Sequence, residues 1–464
     1  MPRESEWKTY YRWGLELKSD VIHIPVLGMN IVVLNSSQAV DDLLEKRSAI
    51  YASRPRMPML VEVMKFKNLS MLPYGDLWKD GRRLCQRELH PALIKRYRPV
   101  LTKYTNMFLR SLIETPKEWR ARIRHLTGAS VLEIAYGLDI KATGDPYVEL
   151  AQKGMRGVES AVVPGAFLVD LVPWLQRVPD WLPGAGWKKQ ANIWRDTLED
   201  MNEIPYNAAK EQIRNGSTRL SYVSSCLEKI EESEDISYQD KIIKDTAGTM
   251  YAGNSDTSAA VLANFVLAMV DNPEVVRKAQ EEIDRVVGHN RLPTMDDHDS
   301  LPYVVAIVKE SIRWRTVVPI SIPHLVTQDD IYKGYFIPEG SIIIPNIWAI
   351  LHDEHDYPDP FTFNPDRFMK GGELNPDAKD PTASFGHGRR ICPGRFLAHE
   401  ELFSIIVSTL VAFDFTKAVG DDGELIEPCH DEVPGALCSP ASFECSLKPR
   451  SLEAQNLVMA TGNR

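Results

Sequence analysis

The sequence predicts a mainly α-helical protein with a small β region. Three observations carry this: helical apolar spacing dominates from Trp78 to Val287, β-branched alternation is confined to short stretches, and no glycine- or proline-rich linker divides the 464 residues. One domain over residues 1–464 is expected, with β-rich parts at roughly 20–36, 317–346 and 412–448 and helices elsewhere.

The elements follow in chain order. Val21 to Leu34 alternates β-branched and small residues around Gly28, the pattern of two short strands joined by a turn. From Ser37 to Ile50 the apolar spacing turns helical. The acidic stretch Glu228 to Asp240 reads as a solvated connector, because runs of like charge face water. Thr246 to Val270 is long and apolar and reads as a core spine; Asn272-Pro273-Glu274 ends it and starts the next helix, with Asn272 as cap and Pro273 in the first turn. A helix is predicted over Pro302 to Trp314, strands over Val317 to Ile322 and Ile342 to Pro345, then a proline-rich meander and a final helix from Arg395 to Leu410.

Composition narrows the function classes. Hydrophobic residues make up 44% and charged residues 25%, ordinary values for a chain with a large core. A net charge of -10 without a basic stripe argues against nucleic acid as partner. The cysteines Cys85, Cys226, Cys392, Cys429, Cys438 and Cys445 form neither a disulfide framework nor zinc-type pairs, so a reducing, intracellular compartment is expected. Met1 to Asp20 is charged and aromatic and holds no apolar run of signal-peptide or membrane-span length, so no N-terminal anchor is expected.

Chemistry concentrates in Phe385-Gly386-His387-Gly388-Arg389-Arg390-Ile391-Cys392-Pro393-Gly394. Two glycines and a Cys-Pro-Gly corner hold one sulfur at the mouth of a tight loop, ahead of a helix whose free N-terminal amides favour a thiolate. Phe385, Gly388, Arg390, Cys392 and Gly394 fill the spacing of the haem-binding signature of the cytochrome P-450 family, which this chain resembles from about Trp7 to Pro449. Tyr51 to Arg56 and Asp366-Arg367-Phe368 are similar to fungal microsomal members of secondary metabolism. The resemblance implies haem b with Cys392 as its axial thiolate, and a haem-thiolate monooxygenase acting on a hydrophobic small molecule, terpenoid or polyketide, with electrons from NADPH through NADPH-cytochrome P-450 reductase.

By the same resemblance, Trp78, Arg82, His324 and Arg390 hold the haem propionates. Glu310 and Arg313, three apart on one helix face, form with Arg367 a supporting Glu-Arg-Arg network. Ala252-Gly253-Asn254-Ser255-Asp256-Thr257-Ser258 is similar to the oxygen-activation segment, with Asp256 and Thr257 as the acid and alcohol that relay protons. Asn254 falls where the family has glycine, so it points elsewhere, joins the polar relay, or marks a bulged helix in which Gly253 takes that role. This departure keeps open a reductase-independent isomerase or dehydratase, and a non-catalytic haem-binding protein.

Residues 162–187, from Val162-Val163-Pro164 through Trp174, Trp181 and Trp187, are expected either to touch a membrane surface peripherally, at the endoplasmic reticulum by resemblance, or to pack on the core as a proline-broken loop. Thr316 to Ile322 and the turn Val433 to Leu437 are the implied substrate contacts, with Arg389 and Arg395 as candidate reductase contacts.

Overall fold

The computed structural model describes residues 5–162, 165–230, 235–433 and 435–463. Val163 and Pro164 of the proposed membrane segment, residues 231–234 of the acidic connector, Pro434 of the substrate turn and the first four residues therefore lie outside the described residues.

The β region gathers around the N-terminal hairpin. β1 (Val21–Val26) and β2 (Met29–Leu34) pair antiparallel with Val26 opposite Met29, so Leu27 and Gly28 make the turn, both with positive φ. The distant β3 (His324–Leu325) and β4 (Ile342–Pro345) complete a sheet of order β1-β2-β4-β3, in which β4 runs parallel to β2. Near the C-terminus β5 (Phe413–Val419) pairs antiparallel with β6 (Cys445–Pro449).

The strand expected over Val317 to Ile322 is replaced by an irregular segment in which only Ile320 forms an isolated bridge, to Asn346. Pro319 within it and Pro323 just after it cannot donate to a ladder, so regular pairing begins only at His324.

Eight helices position the site: α1 (Asp76–Glu88), α2 (Trp119–Tyr136), α3 (Pro146–Ala161), α4 (Gly186–Arg214), α5 (Ile236–Asp271), α6 (Pro273–Val286), α7 (Pro302–Arg313) and α8 (Arg395–Ala412). The spine α5 begins earlier than its apolar pattern. Asp235 accepts from the Tyr238 N–H, so the last part of the acidic stretch is the first turn of a helix rather than a connector. Tyr206 and Lys210 of α4 hold Asp240 there. Every residue from Ser258 to Val270 is buried, so this helix runs through the core. Among the described residues no single helix is long and apolar enough to cross a membrane.

Pro273 opens α6 as its spacing predicts, but the Asn272 side chain does not cap it. The carboxamide donates backward to the Ala268 carbonyl at 2.8 Å, because α5 ends there with unpaired C-terminal carbonyls. The expected helix from Ser37 to Ile50 is interrupted by a wide turn over Asp41–Lys46, which brings Leu44 and Glu45 against the cysteine loop.

Candidate active site

The cysteine loop is built from backbone geometry that only glycine tolerates. Gly388 has φ +59, and a Cβ there would stand 2.0 Å from the Leu44 carbonyl oxygen. The Cys392 N–H donates to the Phe385 carbonyl at 2.7 Å, closing the loop, and Gly394 stands at the N-cap of α8. Burial pushes the Cys392 thiol up, while the Gly394 and Arg395 amides and the Arg82 guanidinium draw it back toward the thiolate. A ligated metal would complete that ionisation.

At the loop gathers a cluster of cations, Arg82 buried and Arg390 half-buried. Arg82 donates to the Ile391 carbonyl; Arg390 lies 4.2 Å over the buried Trp78 ring and donates from Nε to Ala52 O at 2.6 Å and from Nη2 to Leu72 O at 2.8 Å. Arg390 Nη1 is buried with no hydrogen-bond partner among the described residues. Burial, with Arg82 nearby, pushes the Arg390 guanidinium down to about 9.

His324 donates Nδ1–H to the Tyr51 carbonyl at 2.8 Å, and burial followed by the neighbouring Arg54 holds its pKa well below the ordinary range. As a neutral ring it offers an acceptor at Nε2. An adjacent carboxylate would favour the doubly protonated form, which donates from both nitrogens.

Arg54 belongs to the same cluster and was not singled out as a site residue by its sequence. It is buried and donates only to backbone carbonyls, Ser70 O at 2.9 Å, Ile322 O at 2.7 Å and Pro323 O at 2.9 Å. Among the described residues no carboxylate pairs with Arg54, Arg82 or Arg390. Buried charges are paired in folded proteins, so this cluster fits a prosthetic group that brings two carboxylates.

Gly253 in mid-α5 is exposed, and nothing stands within 4 Å of a Cβ built on it. Thr257 Oγ1 donates back to Gly253 O at 2.8 Å. Asp256 lies 3.5 Å from Arg124 of α2; burial raises its carboxyl pKa and Arg124 opposes the rise.

Asn254 turns away from this face. Its Nδ2 donates to Glu401 Oε2 of α8 at 3.0 Å and its Oδ1 accepts from Ser258 at 3.2 Å, while Ser130 of α2 donates to Glu401 Oε1 at 2.6 Å. Of the three alternatives for Asn254, the helix shows no bulge; the side chain leaves the Gly253 face and enters a buried polar cluster. Glu401 was missed because the pair Glu400-Glu401 in an apolar helix reads as solvent-facing.

Glu401 supports a prediction of its own. Burial pushes its carboxyl up, while Ser130, Asn254 and Ser258 pull it back. A carboxyl raised on folding contributes stability that is present below the unfolded value of about 4.3 and lost as pH climbs through the folded value. Glu401→Gln is expected to remove that loss. Its unfolding free energy in urea should gain on the parent as pH rises above the unfolded carboxyl's value of about 4.3.

The Glu-Arg-Arg arrangement is fully assembled. Arg313 binds Glu310 through Nε at 2.7 Å and Nη2 at 2.8 Å, with both side chains 0% exposed, and Arg367 Nε reaches Glu310 Oε1 at 3.1 Å. Arg313 Nη1 donates to Leu351 O at 2.9 Å, and Arg367 ties in Pro358 O and Asp359 O. Glu310 thus pins the meander to α7, whose last turn lies beside the Pro381–Phe385 turn that leads into the cysteine loop.

The remaining candidates sort by exposure. Leu168, Trp174 and Trp181 are exposed at 68%, 63% and 77%, whereas Phe167 packs edge-on against Trp194. Val317 O accepts from the Cys438 N–H at 2.7 Å, which brings the two apolar stretches together. Arg389 is exposed beside Tyr74, whereas Arg395 is half-buried and bonded to Cys392 O at 3.1 Å.

Known proteins resemble this chain over nearly its whole length. The family described as Cytochrome P450 matches residues 16–442. Cytochrome P450 monooxygenase 98 of Postia placenta is 40% identical over 100% of this chain and 90% of its own length. Cytochrome P450 monooxygenase ple1 of Rhodocybe pseudopiperita is 40% identical over 99% of this chain and 88% of its own length. Tryptamine 4-monooxygenase of Psilocybe cyanescens is 36% identical over 98% of this chain and 90% of its own length.

Proposed function

Because this chain belongs to the cytochrome P450 family of monooxygenases, we propose that it oxidises a hydrophobic small molecule in fungal secondary metabolism, with Cys392 as the haem ligand. Haem held by a cysteine thiolate supplies cleavage of the O–O bond and insertion of one oxygen atom into the substrate. The observation that carries the site assignment is the cluster of buried Arg54 and Arg82 with half-buried Arg390, which have no carboxylate partner among the described residues.

In this reading Arg54, Arg82, Arg390 and His324 anchor the propionates, and Trp78 stacks under Arg390. Phe385, Gly388 and Gly394 shape the loop that presents the sulfur. Gly253 leaves room beside the reacting centre, and Asp256 and Thr257 pass protons toward it. Burial lets Asp256 keep its proton to higher pH than a surface aspartate, and the exposed Arg124 beside it marks the side on which it meets solvent. Glu310, Arg313 and Arg367 hold the loop in place. Asn254 supports monooxygenation over isomerisation, since it leaves the Gly253 face clear.

NADPH-cytochrome P450 reductase is the proposed electron donor, docking on the cysteine-loop side where Arg389 is exposed. The patch of Leu168, Trp174 and Trp181 supports peripheral contact with the endoplasmic reticulum membrane.

The test uses the haem-loaded chain with the reductase, NADPH and a panel of terpenoid and polyketide intermediates. A spin-state shift and NADPH consumption matched by oxidised product are expected. Asp256→Asn should lower product formation by about 10²-fold while NADPH is still consumed. Turnover without added reductase would overturn the reading.

A further inference from the structure

Asn254 stands at the edge of the Gly253 face. It is half-buried, whereas Gly253 before it is exposed and Ser255 and Ser258 after it are buried. Three residues along a helix of 3.6 per turn leave its Cβ about 60° away from that of Thr257, so its side chain can lie toward the open face or toward the core. On the open side Thr257 Oγ1 is already 3.3 Å from the Asn254 carbonyl oxygen.

The core side is chosen because the carboxamide finds its partners there. Nδ2 donates to Glu401 Oε2 at 3.0 Å and to Thr127 O at 3.4 Å, and Oδ1 accepts from Ser258 Oγ at 3.2 Å. Of these partners only Glu401 can carry a charge, so its bond is the strongest. Glu401 is buried and is itself fixed by Ser130, which donates to Oε1 at 2.6 Å. Thr127 adds a bond to Ser255 O at 2.8 Å, so α2, α5 and α8 meet at this point. The helix that leads out of the cysteine loop is thereby tied to the helix that carries the open face.

Without the Glu401 acceptor the amide would keep a buried and poorly paired donor, which folded proteins avoid. A turn about χ1 offers it another place, because nothing stands within 4 Å of a Cβ built on Gly253. The carboxamide would then fill the room beside Thr257. We propose that Glu401 is a positioning residue, which holds Asn254 in the core and so keeps the Gly253 face clear for small molecules that approach the reacting centre. The proposal rests on reading that face as the reacting side.

Imidazole titration of the haem-loaded full chain, followed by the haem absorption band, tests it, because imidazole must reach the iron across the Gly253 face. In Glu401→Leu, which removes the acceptor, imidazole affinity is expected to fall by about tenfold. Adding Asn254→Gly to Glu401→Leu should restore it to within about twofold of Asn254→Gly alone, since no side chain is left to turn. Glu401→Gln keeps an acceptor for Nδ2 and should bind imidazole as the parent does. Parent-like affinity in Glu401→Leu, a double variant as weak as Glu401→Leu, or a Glu401→Gln as weak as Glu401→Leu would overturn the proposal. The second of these is the result that a purely structural Glu401 predicts. If Glu401→Leu does not retain haem, Glu401→Asp, one methylene shorter, takes its place under the same criteria. The carbon-monoxide difference spectrum of the same samples separates this proposal from the haem ligation. A thiolate spectrum with no effect of Glu401→Leu removes only the positioning role, whereas a parent chain without the thiolate spectrum removes ligation by Cys392.

Discussion

Cys392→Ser is expected to abolish monooxygenation, by at least about 10³-fold or ~4 kcal/mol of barrier, while leaving the fold intact. Serine is nearly isosteric, and the bond that closes the loop runs from the Cys392 N–H to Phe385 O, so it survives the exchange. The Gly394 and Arg395 amides that stabilise a thiolate would instead face a hydroxyl that stays protonated. Haem should still be retained in part, because the exchange leaves the side chains of the cation cluster, Arg54, Arg82 and Arg390, in place. The carbon-monoxide difference spectrum should lose its thiolate signature, and the melting temperature should stay near that of the parent. A thiolate spectrum persisting in this variant would move the ligand to another residue.

Arg313→Ala is expected to destabilise the protein by about 3–5 kcal/mol, the cost of leaving a buried partner charge uncompensated. Glu310 is 0% exposed and would keep Arg367 as its only cation, at 3.1 Å, against two bonds of 2.7 and 2.8 Å to Arg313. Arg313→Lys should recover only part of this, because one ammonium cannot reproduce a fork that also reaches Leu351 O. Urea unfolding gives the magnitude, and the haem content of the purified variant reports whether the loop beside α7 loosened. An unfolding midpoint equal to the parent's would show that Glu310 is paired well enough by Arg367 and the Asn364 amide alone.

The legible part of this fold was the part written in local spacing. The hairpin at Gly28, the spine through Val270, the Pro273 helix start and the glycine loop ahead of α8 each depend on residues a few positions apart. Where local signals competed, the pattern misled. Val317 to Ile322 has strand-like residues, but Pro319 within it and Pro323 after it removed ladder donors, and the acidic first turn of α5 resembled a solvated connector because Tyr206 and Lys210 that hold Asp240 lie on another helix.

Cys392 stood out by its glycine loop and Glu310 with Arg313 by their shared helix face, whereas Asp256 and Thr257 were pointed to by the resemblance of their segment to the family's. Arg54 in the cation cluster and the turn of Asn254 toward Glu401 were decided only by packing. Arg54 meets Ile322 across 268 positions of chain, and Asn254 meets Glu401 across 147. Whether a charge is buried, paired or left facing a cavity is a property of the segments that close around it, and those segments are set by the tertiary fold.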